Sequence, residues 1–383
     1  MKILAICDVL MPLTTGGAGR MAREIAVGLA RRGDSVNVLT RAPLPGTPRI
    51  DSLDNGVEVS YYPRPGHAPF SAYRRIFDEV ASGFSPDLIH VHQPLAAFLC
   101  RPQRLGAPIA YSFHSSWPEE LKVKSSRWPV TARNVAARLL ARIERQSIEQ
   151  AAEVIVLSRF SRDVVQAAYG RAAKIIPGGV DKDRFRPTAR TENRGAVSLG
   201  TLRNLVPRMG LEPLIDAMGQ LPEHVRLDIG GEGPLRHSLQ RRIDSQGLSG
   251  RVSLRGRIPE EQLPRFYNAL DYFVLPTRAL ENFGLVILES LACGVPALGT
   301  RIGAIPELLE QFDPAWVIDR CDPEAIASRI RAAVVRPAPD RTALHQRVAE
   351  KYDWDVIVDQ YRQVFRGLVD RGPVDACATT RLS

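Results

Sequence analysis

Two runs of alternating strand and helix patterns, separated by a polar stretch, constrain the fold of this chain most. Short apolar segments alternate with amphipathic ones from Lys2 to Ile176, and the alternation restarts at Ala196 and continues to Val334. Residues 181–195 between the two runs are polar and show neither the strand nor the helix spacing of apolar residues. Apolar strands that alternate with amphipathic helices indicate parallel sheets covered by helices on both faces. The chain is therefore predicted to belong to the α/β class.

The predicted domain organisation follows from that break. A chain of 383 residues is too long for one ordinary core. We expect an N-terminal Rossmann-like domain over residues 1–185 and a second one over 186–353. A late helical pattern covers 354–370, and a disordered tail is expected at 371–383. Open α/β sheets bind ligands at the carboxyl ends of their strands, so the two domains are predicted to face a central cleft.

Composition restricts the class and the compartment of the protein. Apolar residues make up 44% of the chain and charged residues 24%, as in globular proteins. Residues 1–8 have a strand pattern and lack the long apolar run of a signal peptide. No apolar stretch approaches the roughly 20 residues of a membrane span. The five cysteines show no metal-like spacing, which favours a reducing, cytoplasmic location and predicts neither disulfides nor a metal site.

The positive charge is concentrated in the first half of the chain. Residues 1–190 carry a net charge of +10 and the remainder −1, which indicates that one domain meets an anionic partner. Residues 119–145 have a net charge of +4, with tryptophans beside the basic residues and apolar residues at helical spacing. Such a segment predicts peripheral contact with an anionic membrane, here at its inner face. A solvated helix face is an equal alternative, whereas no nucleic-acid-binding signature is present.

Two glutamates eight positions apart mark the predicted functional site. A buried strand pattern at 271–276 precedes Glu281, and an apolar helical run follows from Leu285, which places Glu281 on a strand-to-helix loop. The amides of residues 282–284 are then presented at a helix N-terminus, which binds anions such as phosphates. Glu289 is expected about two turns further along that helix. A sugar nucleotide needs these parts, for its diphosphate, its ribose and its reacting sugar.

A glycine loop follows the first strand. Gly16 and Gly17 open a helix and can bring their amides close to a phosphate or substrate. A loop that needs glycine for its backbone angles alone is the structural alternative. The residues Gly17-x-Gly19-x-x-Ala22 also match a dinucleotide fingerprint. That interpretation is weaker, because residues 9–15 separate the strand from the glycines and the second strand ends without an acidic ribose ligand.

Other candidate residues follow predicted strands. His114 ends a strand of the first domain and could hydrogen-bond a sugar or move a proton, although a structural histidine fits equally well. Arg203 and Arg208 follow the first strand of the second domain, where arginines can hold a diphosphate. Backbone approach to a ligand is expected at Gly231, and contact with a base at Arg257 and Ile258.

Taken together, these motifs resemble the family 4 glycosyltransferases of the GT-B fold over nearly the whole chain. The most specific signal is the E-x7-E pair, and Gly-Gly-Glu-Gly-Pro-Leu at 230–235 and Ile-Pro-Gly-Gly-Val-Asp at 176–181 are further landmarks. The resemblance implies a retaining transfer from a nucleotide-diphosphate sugar to a hydroxyl acceptor. UDP is expected before GDP as the nucleotide, and the basic segment at 119–145 favours a lipid-linked or cell-surface glycan precursor as the acceptor. It implies that no metal or other cofactor is required. It also implies that the helix at 354–370 packs back on the first domain.

The resemblance implies roles for individual residues. Glu281 is expected at the reacting sugar, Glu289 at the ribose hydroxyls, and His114 at the sugar from the first domain. The expected catalytic residues are Glu281, His114 and Arg208. The expected donor-binding residues are Gly16, Gly17, Arg203, Arg208, Gly231, Arg257, Ile258, Asn282, Phe283, Gly284, Leu285 and Glu289.

One departure from the family pattern concerns the diphosphate. The family commonly reads G-R-L-x-x-x-K-G, and this chain has Asn204 and Met209 at the places of that arginine and lysine. Arg203 and Arg208 stand one residue earlier, and an arginine can bind a diphosphate in bidentate fashion. A shifted clamp is therefore expected, with Arg208 ranked before Arg203.

Four alternatives to this function remain open from the sequence. The acceptor could be a soluble small molecule. The chain could be a non-catalytic sugar-nucleotide binder, since the usual arginine and lysine are replaced. A sugar-nucleotide epimerase could share the fold without needing an acceptor. A dinucleotide-dependent oxidoreductase rests on the glycine fingerprint alone.

Overall fold

Each half of the chain folds around its own parallel sheet in the computed structural model, which describes residues 1–13, 16–47, 49–125, 128–189 and 195–372. Residues 1–177 and the helix that begins at Trp354 form one unit, and residues 178–353 form the other. The predicted pair of parallel-sheet α/β domains is confirmed. The tail expected at 371–383 lies outside the described residues from position 373 on.

The first unit is built on a largely parallel sheet. Its strands are β1 Lys2–Cys7, β2 Ser35–Arg41, β3 Ser52–Leu53, β4 Val57–Tyr62, β5 Leu88–Val91, β6 Ile109–Phe113, β7 Glu153–Val156 and β8 Lys174–Ile175. They stand in the order β3-β4-β2-β1-β5-β6-β7-β8, with β3 antiparallel to β4. From Ile3 to Cys7, β1 is buried throughout, as expected for a central strand covered on both faces.

Helices cover this sheet and begin where the sequence turns amphipathic. They are α1 Gly17–Arg31, α2 Phe70–Phe84, α3 Pro94–Cys100, α4 Trp117–Lys124, α5 Val130–Glu149 and α6 Arg159–Tyr169. The strands that flank β1 are β2 and β5, so the chain turns to opposite sides of β1 at its carboxyl end. Such a switch point is where open α/β sheets bind ligands.

The second unit repeats the same principle with a smaller sheet. Its strands are β9 Val197–Leu202, β10 Val225–Gly230, β11 Val252–Gly256, β12 Tyr272–Leu275, β13 Ala297–Thr300 and β14 Val317–Ile318. Its helices are α7 Leu211–Met218, α8 Arg236–Ser245, α9 Leu263–Asn268, α10 Leu285–Ala292, α11 Ile305–Leu309, α12 Pro323–Val334 and α13 Arg341–Tyr352. The order β11-β10-β9-β12-β13-β14 places the switch point at β9, which has β10 on one side and β12 on the other.

The last helix, α14 Trp354–Asp370, belongs to the first unit. It packs on α1, where Gly28 leaves room for Val358: a Cβ at Gly28 would lie 2.5 Å from Val358 Cγ2. Arg362 donates to Asp34 at 2.7 Å, and Asp34 also accepts from the N-terminal amine of Met1 at 2.9 Å. These contacts tie the end of the described chain to its beginning.

The two units meet in sequence at Pro177 and Gly178, whereas the sequence places the boundary at residue 185. The intervening residues pack on the second unit. A Cβ at Gly178 would lie 2.9 Å from the ring of Phe283, and the N–H of Val180 donates to the carbonyl of Tyr352 at 2.8 Å. The expected linker therefore begins as an ordered part of the second unit.

A buried glutamate joins three helices of the first unit. Glu144 on α5 accepts from the Trp117 N–H at the start of α4 at 3.1 Å, and from the Tyr169 hydroxyl at the end of α6. Burial raises the pKa of Glu144 to about 7; its two hydrogen bonds oppose this shift, and Glu120 adds to it. The folded state therefore holds this proton more tightly than the unfolded chain does.

This proton makes stability depend on pH in a predictable direction. The pKa of the Glu144 carboxyl group is higher in the folded state than in the unfolded chain. The contribution of this group to the free energy of unfolding is therefore most favourable at low pH and is lost as the pH rises from about 4.5 to about 7. We expect Glu144→Gln to match wild type near pH 4 and to exceed its free energy of unfolding by up to about 3 kcal/mol at pH 8. Urea unfolding at both pH values measures the difference.

The exposed glutamate of the same helix supplies the control for this test. Glu149→Gln should change stability by less than about 0.5 kcal/mol at either pH, as surface substitutions usually do. Equal pH slopes for wild type and Glu144→Gln would show that Glu144 holds no such proton.

Candidate active site

The loop between β12 and α10 carries the first of the two glutamates. β12 ends at Leu275 and α10 begins at Leu285, so Glu281 lies on the connecting loop. Leu280 has a φ of 58°, a left-handed conformation that residues other than glycine adopt rarely. Backbone strain of this kind is concentrated at functional sites.

A glycine on a neighbouring loop fixes the position of Glu281. Gly303 has a φ of 58°, and a Cβ at this position would lie 2.0 Å from the carbonyl oxygen of Glu281. The N–H of the next residue, Ala304, donates to the same oxygen at 2.9 Å. Any side chain at position 303 would push the loop away, so the placement of Glu281 depends on this glycine.

The N-terminus of α10 is suited to bind an anion. Gly284 caps the helix with a φ of 94° and no side chain caps its amides. The first-turn amides, such as those of Leu285 and Val286, have no carbonyl partner within a helix. The helix dipole adds a partial positive charge at this end. A phosphate group is the anion that such an end commonly binds.

Glu281 is paired with an arginine from the neighbouring strand. Arg203 directly follows β9, and its Nη2 lies 2.8 Å from Glu281 Oε2. Arg203 is 7% exposed and Glu281 15%, so the pair is largely shielded from water. Gly231 allows this arrangement, because a Cβ there would lie 1.9 Å from the Arg203 carbonyl oxygen.

Two further side chains orient the guanidinium of Arg203. Its Nε and Nη2 lie 3.1 and 2.7 Å from Met209 Sδ, and Nη2 donates to Thr277 Oγ1 at 3.1 Å. Met209 is the residue at the family's lysine position, and here it is buried beneath the arginine. Within the described part of the chain Nη1 has no partner, so its two N–H groups are available to a ligand.

Arg208 has a different partner. Its Nη1 donates to the carbonyl oxygen of Leu280 at 2.8 Å, and its own carbonyl accepts from the N–H of Arg278. Asn204, at the family's arginine position, is exposed. Arg208 therefore braces the backbone of the glutamate loop, while Arg203 contacts the carboxylate itself.

Glu289 is the fifth residue of α10, about one turn into the helix instead of the two expected, because Glu281 and the three residues after it are not helical. Its side chain is 3% exposed, and Oε2 accepts from the hydroxyl of Tyr267 at 2.7 Å. Tyr267 is itself fully buried, between the rings of Phe185 and Phe273. The carboxylate is thus held in a fixed orientation.

Two candidate base contacts follow β11. Arg257 is exposed, and Ile258 packs on Gly230, where a Cβ would lie 2.6 Å from Ile258 Cδ1. The N–H of Gly231 donates to the carbonyl of Gly256 at 2.7 Å. The ends of β10 and β11 are therefore held together at the edge of the sheet where Arg203 emerges.

The candidate residues of the first unit also lie at the carboxyl edge of its sheet. Gly16, with a φ of 121°, caps α1, and Gly17 is the first residue of that helix. His114 follows β6, and its Nε2 lies 3.1 Å from Nδ1 of His92. Burial lowers the pKa of His114 to about 4 and Glu120 opposes this shift, so the imidazole is neutral at pH 7.

Sequence reasoning missed a buried polar cluster beside these residues. Asp8 follows β1 and accepts from the hydroxyl of Tyr62 at 2.5 Å, while its N–H donates to Gln93 Oε1 at 2.6 Å. Burial raises the pKa of Asp8 to about 6; the Tyr62 hydroxyl and Arg41 oppose this shift. The available signal was positional, since Asp8 is the last residue of the strand pattern at 1–8 and Gln93 lies two residues beyond β5, the strand next to β1.

The Asp-Lys-Asp sequence at 181–183, which has the D-x-D pattern of some metal–diphosphate sites, is part of a turn here. Asp181 Oδ1 accepts from the N–H groups of Asp183 and Arg184 at 3.1 and 2.9 Å, and Lys182 pairs with Asp353. Across the described ranges, no three His, Cys, Asp or Glu side chains are grouped as metal ligands would be.

The basic segment forms a groove between α4 and α5. The groove has a volume of about 560 Å³, and its cationic wall is formed by Lys122, Arg138, Arg142 and Arg145. Trp128, Val135 and Leu139 lie nearby in the sequence and are 51 to 65% exposed. No helix in the described part of the chain is both long and apolar enough to cross a bilayer.

Two family models match consecutive parts of the chain. Residues 15–184 match the model described as Glycosyltransferase Family 4, and residues 181–351 match the one described as Glycosyl transferases group 1. Among solved structures, sucrose-phosphate synthase from Thermosynechococcus elongatus has a similar fold, with a TM-score of 0.81 at 22% identity over 97% of this chain and all of that one.

Two curated relatives are similar in sequence. A GDP-mannose-dependent alpha-(1-6)-phosphatidylinositol monomannoside mannosyltransferase from Mycolicibacterium smegmatis is 34% identical, over 52% of this chain and only 57% of its own length. D-inositol 3-phosphate glycosyltransferase 1 from Catenulispora acidiphila is 28% identical over 97% of both chains. The two models and the shared fold lead to one conclusion: this chain belongs to the family 4 glycosyltransferases, which have the GT-B fold.

Proposed function

We propose that this chain is a retaining glycosyltransferase, which transfers a sugar from a nucleoside-diphosphate sugar to a hydroxyl acceptor. The observation that carries the proposal is the shielded Arg203–Glu281 pair beside the N-terminus of α10. The pair joins the loops that follow β9 and β12, which are neighbours at the switch point of the second sheet. A ligand-binding position thus combines a cation, an anion site and a carboxylate.

Each part of the donor has a matching group in the second unit. Nη1 of Arg203 and the amides of Leu285 and Val286 would bind the diphosphate, because these groups carry partial or full positive charge and have no acceptor among the described residues. Glu289, held by Tyr267, would accept from the ribose hydroxyls. Arg257 and Ile258 would flank the base. We rank Arg203 before Arg208 for the diphosphate, because Arg208 is already bonded to the loop backbone.

In the proposed reaction, the anomeric carbon of the sugar loses one bond and forms another on the same face of the sugar ring. The bond from that carbon to the β-phosphate oxygen breaks, and the acceptor oxygen bonds from the side that the diphosphate leaves. The acceptor proton moves to the departing phosphate oxygen. Arg203 and the α10 amides stabilise the charge that develops on the diphosphate, and Glu281 lies where the sugar reacts. No metal or other cofactor takes part in this proposal.

The names of the relatives narrow the choice of substrates. The expected order is UDP before GDP, whereas the relative from Mycolicibacterium smegmatis is named as GDP-mannose-dependent. Both relatives are named for acceptors that contain a phosphorylated inositol. We therefore propose GDP-mannose and the UDP-sugars as the first donors to test, and an inositol phosphate, free or lipid-linked, as the first acceptor class.

Product analysis tests the proposed reaction. With a suitable donor and acceptor, we expect nucleoside diphosphate to be released together with a glycoside that keeps the anomeric configuration of the donor. We expect the rate to be unchanged in EDTA. Release without acceptor at the same rate, or a product of inverted configuration, would contradict a retaining transferase.

The same assay separates the rival functions. A non-catalytic binder would bind nucleotide sugar and release nothing with any acceptor. An epimerase would convert the donor sugar without acceptor. A dinucleotide oxidoreductase would bind nicotinamide dinucleotides. In the structure, however, α1 begins at Gly17, ten positions after β1 ends at Cys7, whereas a dinucleotide-binding turn joins the strand directly to its glycines.

For the acceptor side, we propose that the groove between α4 and α5 holds the first unit against an anionic phospholipid surface. Arg138 and Arg142 extend from its wall and have no partner among the described residues. Exposed Val135 lies three residues before Arg138 on α5, and exposed Leu139 lies three residues before Arg142. Cationic and apolar side chains therefore share one side of the helix. Cations beside exposed apolar groups suit the headgroup region of a membrane.

Charge reversal in the groove should weaken vesicle binding. Each basic residue near an anionic membrane contributes about 1 kcal/mol, so Arg138→Glu with Arg142→Glu is expected to lower the partition coefficient on phosphatidylserine-containing vesicles at least tenfold. Sedimentation with 100-nm vesicles measures it. The matched control is Arg75→Glu with Arg162→Glu, two exposed arginines of the same unit outside the groove. Equal losses in both double variants would assign the effect to net charge alone.

A further inference from the structure

Three histidines form a column at the carboxyl edge of the first sheet. His90 and His92 come from the end of β5, and His114 comes from the end of the neighbouring β6. The rings of His90 and His92 lie 4.0 Å apart, and those of His92 and His114 are nearly parallel, at 8° and 5.4 Å. The column leads from the core to the half-buried His114.

One hydrogen bond links the last two rings, between His92 Nδ1 and His114 Nε2 at 3.1 Å. Burial lowers the pKa of His92 well below its ordinary value, and the neighbouring histidines lower it further. Burial also lowers the pKa of His114 to about 4, against an opposing effect of Glu120. Both rings are neutral at pH 7, so a single proton lies between these nitrogens and one ring must donate while the other accepts.

The second nitrogen of His92 determines the direction of that bond. Its Nε2 is buried, and no group in the described ranges hydrogen-bonds to it. If the proton of His92 were on Nε2, a buried N–H would have no acceptor. If the proton is on Nδ1, only a lone pair is left unpaired, and buried unpaired donors are rarer in proteins than buried unpaired acceptors. His92 is therefore the donor to His114.

We propose that His92 is a positioning residue that holds His114 as the tautomer protonated on Nδ1. His114 then accepts from His92 through Nε2 and presents an N–H group at Nδ1. It can donate a hydrogen bond to an oxygen of a ligand at the carboxyl edge of the first sheet, and it has no lone pair left to act as a base. This inference rests on the proposed function, because it decides which of two roles His114 has in the transfer.

The rest of the column keeps His92 in place. His90 Nε2 lies 2.8 Å from Ser112 Oγ, which in turn lies 3.4 Å from the hydroxyl of Tyr361 on α14. His90 also packs edge-on against Phe365, with ring centroids 4.9 Å apart. His92 therefore packs on a buried support, and its hydrogen bond to His114 forms without a ligand.

Nitrogen NMR reads the tautomer directly and without substrate. The full chain, labelled with ¹⁵N only in its seven histidines, is examined at pH 7 by long-range ¹H–¹⁵N correlation. His114→Gln identifies the His114 signals. We expect the pattern of a neutral ring protonated on Nδ1. A pattern protonated on Nε2, or a rapid average of the two, would overturn the proposal even if the protein proves to be a transferase.

Two variants of His92 test its role as the positioning group. Asparagine can place an amide N–H near the position of Nδ1, whereas leucine removes the donor. We expect His92→Asn to keep the Nδ1-protonated pattern of His114 and a kcat/KM within about threefold of wild type, and His92→Leu to lose both, with kcat/KM roughly tenfold lower. An unchanged His114 pattern in His92→Leu would refute the role of His92. If that variant does not fold, the wild-type and His92→Asn spectra still decide.

Discussion

Replacing Glu281 by glutamine is expected to lower kcat by roughly 100- to 1000-fold, the range seen when one charge-stabilising group is removed from an active site. Glutamine has nearly the same shape and can still accept from Arg203, so the loop held by Gly303 should stay in place. The loss would then come from the missing negative charge beside the reacting sugar. Steady-state kinetics and thermal unfolding of the variant measure the two effects separately.

The second unit offers a matched control for this variant. Arg301 and Glu310 form an arginine–glutamate pair at 2.9 Å, close to the 2.8 Å of Arg203 and Glu281, but both are nearly half exposed. Glu310→Gln should leave kcat unchanged, because exposed ion pairs contribute little. A wild-type kcat in Glu281→Gln would show that Glu281 takes no part in the reaction. A loss of kcat in Glu310→Gln equal to that in Glu281→Gln would contradict the role of Glu281 as well.

Replacing Arg203 by methionine is expected to lower kcat/KM by roughly 1000-fold, since it removes the cation that faces the diphosphate. Arg208→Met should cost less, about tenfold, because that side chain contacts the backbone of Leu280. Activity and nucleotide affinity of both variants, measured side by side, give the comparison. A larger loss in Arg208→Met would restore the ranking that the sequence alone favours.

The neighbouring methionine makes a rescue experiment available. Met209 occupies the family's lysine position and packs under Arg203, with Sδ 2.7 Å from Nη2. Combining Arg203→Met with Met209→Lys returns a cation to the family position, and we expect the double variant to regain at least tenfold in kcat/KM over Arg203→Met. If the double variant regains no activity, the position of the cation at residue 203, and not only its charge, would be essential.

The fold could be predicted from sequence because the positions of the apolar residues distinguish strands from helices. Strands such as β1 and β12 are continuous apolar runs, and the helices between them are amphipathic. Two helices lack such a pattern in the sequence. α4 is only eight residues long and weakly amphipathic. α13 is polar on most faces and has only a few buried residues, such as Leu344 and Val348. Their helical state depends on tertiary packing more than on period.

The candidate site was predictable in its position but not in its contacts. Glu281 is located by the strand before it and the helix after it, which are local features. Its pairing with Arg203 depends on close approach at Gly231 and Gly303 and on the burial of Met209, all of which come from residues far apart in sequence. For the same reason the sequence could not rank Arg203 against Arg208: one position separates each from the family pattern, and only the fold shows what each side chain meets.

The most direct test of the proposed donor site is a calorimetric titration of UDP, GDP, ADP and dTDP into wild type and Arg203→Met. We expect one of these nucleotides to bind wild type with micromolar affinity and at least tenfold more weakly to the variant, because Nη1 of Arg203 is the cation available to the diphosphate. Absence of binding by all four nucleotides, or equal affinity in the two proteins, would contradict a donor site built on Arg203 and the N-terminus of α10.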